Sequence, residues 1–241
     1  NLLKHIGYKV STRNNNEVLG LLESESNSKL PDNFSFNMDQ SKMVLNNGVL
    51  DCKTYQLSPF TKDIYAVNKI PINFDSNAQC PLWVKCLDDW ACRDREWIAV
   101  IQEMFGSCFI FEALPYTYFL YGDGDDGKSV LISILEEIVG NHNRSAVRFD
   151  QLTNQFALIN LRGKLLNIGS EIDSKDLASS AMLKALTGGD TIMADIKHKS
   201  MLEFKAYCTF VFTGNTLPRV KDTSYGWERR LQIIPFDFVI S

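Results

Sequence analysis

The sequence predicts an α/β fold organised around a parallel sheet, and three observations carry that expectation. Four short apolar runs, residues 116–121, 164–169, 206–212 and 231–234, have the length and the aromatic or β-branched character of buried strands. Helical spacing falls between the first two runs and again over 175–187, so strand and helix alternate along the chain. The first run passes through glycines into Val130, Leu131, Ile134, Leu135, Ile138 and Val139, an apolar helix stripe closed by Gly140-Asn141.

The chain has 241 residues, a net charge of −4, 45% hydrophobic and 22% charged residues. That composition supports a packed core and excludes a wholly disordered chain. No apolar run reaches the roughly 18 residues that a membrane span requires. Residues 1–8 include Lys4 and His5 and lack the apolar centre of a secretory signal. The first residue is not Met, and the chain stops in mid-pattern at Phe238-Val239-Ile240-Ser241, so the sequence reads as a piece of a longer protein. The six cysteines form no CxxC pair and have only three histidines to assist them, which argues against zinc. They read as reduced, buried thiols of a cytoplasmic protein. Mild acidity argues against a uniformly basic coat but leaves room for a local basic element.

Residues 11–41 are rich in Asn, Ser, Asp and Glu and read as loops and short solvated helices. Over residues 43–50, Asn47-Gly48 between apolar pairs signals a hairpin or a turn. From Pro81 the spacing of Trp83, Leu87 and Trp90, then Trp97, Ile98, Ile101, Met104 and Phe105, is helical. The boundary between a smaller mixed α+β appendage (1–80) and the core (81–241) is placed near residue 80, with no internal repeat in either.

Residues 122–129, Gly122-Asp123-Gly124-Asp125-Asp126-Gly127-Lys128-Ser129, fit G-x-x-x-x-G-K-[ST]. Glycines let backbone N–H groups curl around phosphate oxygens, and the following helix start, through Val130, adds positive dipole. Lys128 supplies a mobile charge to the β/γ-phosphates and Ser129 a hydroxyl to Mg²⁺. The expected ligand is therefore a nucleoside triphosphate with Mg²⁺. Asp123, Asp125 and Asp126 put three carboxylates in a loop built for anions, and they are expected to point outward.

The second strand runs into Ser170-Glu171-Ile172-Asp173, where Glu171 is the candidate to orient or deprotonate water and Asp173 could share its face. The other reading of Glu171 is a cap on the next helix. Asn215, at the tip of the third strand in Thr213-Gly214-Asn215-Thr216-Leu217-Pro218, suits a γ-phosphate sensor or a plain turn. Arg229 or Arg230, before the fourth strand, could neutralise charge at a neighbouring subunit's nucleotide or form a surface ion pair. Residues 190–204 read as a hairpin with Lys197, His198 and Lys199 near its tip, suited to a nucleic-acid backbone or to solvent.

The order of these motifs, with Leu186-Thr187-Gly188-Gly189-Asp190 between the acid and the hairpin, resembles superfamily 3 helicases. It is most similar to the helicase half of phage and plasmid primases and of the poxvirus primase–helicase. The resemblance extends upstream through Asn47-Gly48-Val49-Leu50-Asp51, Leu57-Ser58-Pro59, Cys80-Pro81-Leu82-Trp83 and Ile101-Gln102-Glu103-Met104-Phe105-Gly106, and so covers about residues 40–241. It implies an AAA+-like core, a hexameric ring, and ATP-driven travel on single-stranded DNA during viral, phage or plasmid replication, with a primase or polymerase domain in the same longer chain. It further implies that Lys197 and His198 face the pore, that Asn215 is the sensor and that Arg229 or Arg230 is the finger. The family usually carries Asn where Asp126 stands. The rival readings of the phosphate loop are a P-loop kinase and a DNA-binding scaffold without unwinding.

Overall fold

The computed structural model describes residues 41–61, 64, 66–170, 180–197, 201–217, 222 and 224–238. Strands β1 (Lys42–Val44), β2 (Val49–Asp51) and β3 (Leu57–Ser58) form a small antiparallel sheet. Its first turn is the expected one, closed by the Leu45 N–H donating to the Gly48 carbonyl at 2.8 Å. A Cβ at Gly48 would lie 2.4 Å from the Ser58 carbonyl, so β3 can approach only a glycine. Helices α1 (Pro81–Trp90) and α2 (Arg95–Ser107) follow. Proline opens α1, where its missing N–H costs nothing. Asp94 caps α2 by accepting from the Glu96 and Trp97 N–H groups at 2.8 and 3.2 Å.

The centre is a parallel five-stranded sheet of β4 (Thr117–Tyr121), β5 (Arg144–Ser145), β6 (Leu166–Gly169), β9 (Thr209–Gly214) and β10 (Leu231–Pro235), in the order β10-β4-β9-β6-β5. Between these strands run α3 (Lys128–Val139), α4 (Gln155–Leu158), α5 (Ser180–Gly188) and α6 (Tyr225–Glu228). This is the expected α/β architecture. Successive side chains of the middle strands enter opposite layers, as a period of two requires. Tyr118, Leu120 and Val211 face the cluster that holds Leu87, Trp90, Ile101, Met104, Leu131 and Leu135. Phe119, Phe210 and Phe212 face the other, with Phe149, Leu152, Leu183, Leu186 and Trp227. Both faces are covered, so the strands are apolar throughout rather than alternating.

Three differences from the sequence reading have local causes. The third core strand begins at Thr209 rather than at 206, because its pairing with β6 starts where the Thr209 N–H donates to the Leu165 carbonyl at 2.9 Å. Leu45, Leu50 and Ile70 belong to the same buried cluster as α1, α2 and β4, so one core crosses the boundary placed near residue 80. Only Cys108 and Cys208 are buried thiols, and burial pushes the Cys108 pKa up to about 12. Cys80 and Cys92 are exposed, and Cys52 and Cys86 are half-buried.

A buried amide network ties residues 68–69 to the amino ends of the sheet. The Asn143 Nδ2 group donates to the Lys69 and Val139 carbonyls at 2.8 Å each, and its Oδ1 accepts from Asn68 at 3.0 Å. Asn68 also donates to the Gly163 carbonyl at 2.9 Å and accepts from the Tyr207 hydroxyl at 3.1 Å. Removing Asn143 strands several buried polar groups at once. Asn143→Ala is expected to destabilise the fold by about 1–3 kcal/mol, read from the denaturant midpoint, whereas exposed Asn160→Ala should shift it by less than about 0.5 kcal/mol.

Candidate nucleotide site

The loop after β4 is shaped by backbone conformations that few side chains accept. Gly124, Asp125 and Gly127 have φ of +109°, +49° and +89°. Two glycines are needed for space as well. A Cβ at Gly122 would meet an Asp126 carboxylate oxygen at 2.4 Å and Lys128 Nζ at 2.9 Å. One at Gly127 would meet the Trp90 indole at 2.6 Å. The loop then enters α3, whose first-turn N–H groups, at Ser129 and Val130, lack intrahelical acceptors. Ser129 and Val130 are exposed.

Lys128 is 8% exposed. Its ammonium donates to the Gly122 carbonyl at 2.8 Å, pairs with Asp126 and lies 5.9 Å from the Phe236 ring centre. Asp126 also accepts from the Lys128 N–H at 3.1 Å and, more weakly, from the Gly124 N–H at 3.4 Å. Burial opposes the Asp126 charge, but these donors outweigh it and hold the carboxyl below its usual range. Asp126 therefore does not point outward as the sequence reading expected; it turns into the loop because a buried ammonium needs an anion. Asp123 and Asp125 are exposed, as expected. An ammonium and two backbone N–H groups thus converge on one anionic side chain. That donor set fits a phosphate group, with Asp126 as its internal occupant. The exposed Ser129, at the same helix start, carries the hydroxyl that would face a cation there.

The neighbouring strand brings the amide close. Tyr121 pairs with Gly214, and the Gly122 N–H donates to the Gly214 carbonyl at 3.4 Å, so Asn215 begins its turn beside the phosphate loop. Strand β6 ends at Gly169, in register with Phe212, one strand further out. Glu171 and Asp173, which follow it, lie outside the described residues, as do His198 and Lys199. The basic hairpin has its expected strands, β7 (Thr191–Ala194) and β8 (Leu202–Lys205), with Lys197 exposed in the connection.

The two arginines differ. The Arg230 side chain donates to the Thr187 hydroxyl at 3.0 Å and to the Gly226 carbonyl, while Arg229 is exposed. Both precede β10, whose first residue pairs with Thr117, and the Arg230 carbonyl accepts from the Thr117 N–H at 2.7 Å. The phosphate loop leaves the other end of β4, four steps or roughly 13 Å away. An arginine side chain is shorter than that.

Sequence reasoning missed the walls of the site. Trp90 and Phe236 press against Gly127 and Lys128, and the only signal for Trp90 was its helical spacing. Trp97 fixes the Phe236 segment by donating from its indole to the Pro235 carbonyl at 2.7 Å and stacking edge-on with Phe236.

A family model described as "D5 N terminal like" matches residues 1–92, and the "Family of unknown function (DUF5906)" matches 120–230. The chain is 24% identical over 232 residues, 86% of its length, to "Putative helicase 184R" of Invertebrate iridescent virus 6. It is 29% identical over 126 residues, 49% of its length, to a protein of Acanthamoeba polyphaga mimivirus also named as a putative helicase. Among solved structures, the apo C-terminal region of NrS-1 has the same fold over 67% of this chain and 39% of that one, with a TM-score of 0.54 and 22% identity. Together these likenesses support a superfamily 3 primase–helicase type. The chain spans 23% of the first viral relative and 13% of the second.

Since Asp126 occupies the loop's donors, an incoming phosphate must displace it. Asp126→Asn keeps the size and removes the charge, and is expected to tighten ATP binding roughly tenfold, a difference of about 1.4 kcal/mol. Exposed Asp123→Asn should change it less than about twofold. Titration of each variant with a fluorescent ATP analogue measures both.

Proposed function

We propose that this chain is the ATPase portion of a replication helicase that moves on single-stranded DNA as a ring of identical copies, six in the family's pattern, within a longer primase–helicase. The observation that carries the reading is the convergence of the Lys128 ammonium and the loop N–H groups on one anion at the carboxyl end of β4, with Asn215 alongside. The helicase names of the viral relatives support the same class. Rivals such as a P-loop kinase have no further observation in their favour.

In this reading Lys128 and the N–H groups of residues 122–130 bind the triphosphate of ATP. Ser129, Glu171 and Asp173 are the residues to hold Mg²⁺, which when bound neutralises charge on the phosphate oxygens. Glu171 orients the attacking water and Asn215 hydrogen-bonds the γ-phosphate or that water. Arg230 is engaged by Thr187 and Gly226, so Arg229 is the finger. Its place at the far end of β4 from its own loop supports a role at the nucleotide of a neighbouring copy. Each site then needs two subunits, and a heterologous contact of that kind gives a ring where its rotation closes. The hairpin carrying Lys197, His198 and Lys199 grips the strand through its phosphates, a local basic contact compatible with a net charge of −4. Among the described residues no helix is long and apolar enough to cross a membrane, and the replication role places the work in the cytoplasm, the host's for a virus or phage.

Two measurements test the reading. Lys128→Ala is expected to abolish ATP hydrolysis, at least a hundredfold in rate, as loss of a principal transition-state charge does. Lys197→Ala combined with His198→Ala is expected to remove the stimulation of hydrolysis by single-stranded DNA. Stimulation equal to that of the parent chain would refute the hairpin's role.

A further inference from the structure

Among the described residues, strand β5 is the sheet edge opposite β10, and its outer backbone groups have no partner strand. Against it lies a cavity of about 580 Å³ whose lining includes Arg144, Val147, Ala157, Ile159, Arg162 and Lys164. No carboxylate lines it, in a chain with more acidic than basic residues. Two of its three cations are positioned by their own contacts. Arg144 pairs with Glu136 and donates to Asn141 Oδ1 at 2.9 Å, and Lys164 donates to the His142 carbonyl at 2.5 Å. Arg162 is exposed, and its side chain forms no hydrogen bond or ion pair among the described residues. The apolar side of the cavity comes from Val147, Ala157 and Ile159.

The cavity adjoins the hairpin's base. The Asp195 N–H, at the end of β7, donates to the Gln155 carbonyl of α4 at 3.2 Å. Ile192 and Ala194 share a buried cluster with Leu158 and Leu161. Phe156 stands on that same helical turn, next to the lining residue Ala157, with 51% of its surface exposed. A half-exposed ring on the turn that carries both the hairpin's Gln155 contact and the lining residue Ala157 puts a stacking surface near the cavity's positive charge, the pairing that holds unpaired strands.

We propose that this cavity is a second contact for single-stranded nucleic acid: a strand gripped by the hairpin crosses α4, stacks a base on Phe156 and sets a phosphodiester against Arg162 and Lys164. This rests on the DNA-binding reading above and extends it to residues that none of the motifs include. Arg162 supplies a planar guanidinium with free donors, Lys164 a second positive charge, and the apolar side receives a sugar or base face.

The test is fluorescence anisotropy of a labelled oligothymidylate with the full 241-residue chain across a salt series. Arg162→Ala is expected to weaken binding roughly tenfold and to reduce the slope of log affinity against log salt by about 0.7, the value for one phosphate contact on a single strand. Phe156→Ala should weaken binding roughly fivefold or more with the slope unchanged, since stacking releases no counterions. Both residues are exposed, so their unfolding midpoints should match the parent's. Parent-like affinity in both variants, while Lys197→Ala weakens binding, overturns the cavity contact and leaves the hairpin reading standing. An Arg162→Ala variant that binds the oligonucleotide normally but loses binding to polyglutamate overturns it in favour of a protein partner. A parent chain that binds no oligonucleotide overturns both readings together.

Discussion

A lysine ammonium held almost entirely out of water must have an anion, and that requirement organises the centre of this molecule. Lys128 is fixed at the end of β4 by the helix that it opens, with Phe236 on one side and the Gly122 carbonyl on another. Those contacts leave the charge only partly compensated, and Asp126 completes it. The surrounding fold serves the same end. Gly122 and Gly127 are glycines because Asp126 and Trp90 occupy the space that a side chain would fill. Trp90 in turn is buried in the cluster that covers one face of the sheet, so the phosphate loop is braced by the helices that precede it. In the proposed function a phosphate would compete with Asp126 for the same donors, so its binding would exchange one anion for another rather than fill an empty charge.

Parallel register fixes what else can take part. Because β4 and β9 run in the same direction and end together, the turn holding Asn215 opens beside the loop. Because β10 also runs parallel to β4, the residues before it stand at the opposite end of the sheet. A charge placed there is useful to a nucleotide only if that nucleotide belongs to another copy. Strand direction together with the contacts of the two arginines supports the proposed ring without appeal to any surface patch.

Much of this was legible in the sequence. The glycine-rich loop between β4 and α3, the four apolar strands, the helix stripe after Lys128 and the antiparallel hairpin all rest on local patterns, and local patterns survive folding. The inward turn of Asp126 was not legible, because it depends on how deeply Lys128 is buried, which is a property of Phe236 and Trp90 arriving from distant segments. The choice between Arg229 and Arg230 was equally closed, since only the fold brings Thr187 within 3.0 Å of one and not the other. Cysteine burial failed for a related reason. Cys80 and Cys92 flank α1 at its exposed ends, and composition says nothing about which face of an element a residue occupies.

The account's central claim is that one catalytic site takes its phosphate loop and its arginine from different copies of the chain. Mixing tests it directly. Chains carrying Lys128→Ala and chains carrying Arg229→Ala are each expected to be inactive alone. Combined in equal amounts, they should recover about a quarter of the parent ATPase rate, because random heterologous assembly pairs an intact loop with an intact arginine at one seam in four. No recovery in mixtures that demonstrably co-assemble would contradict a shared site.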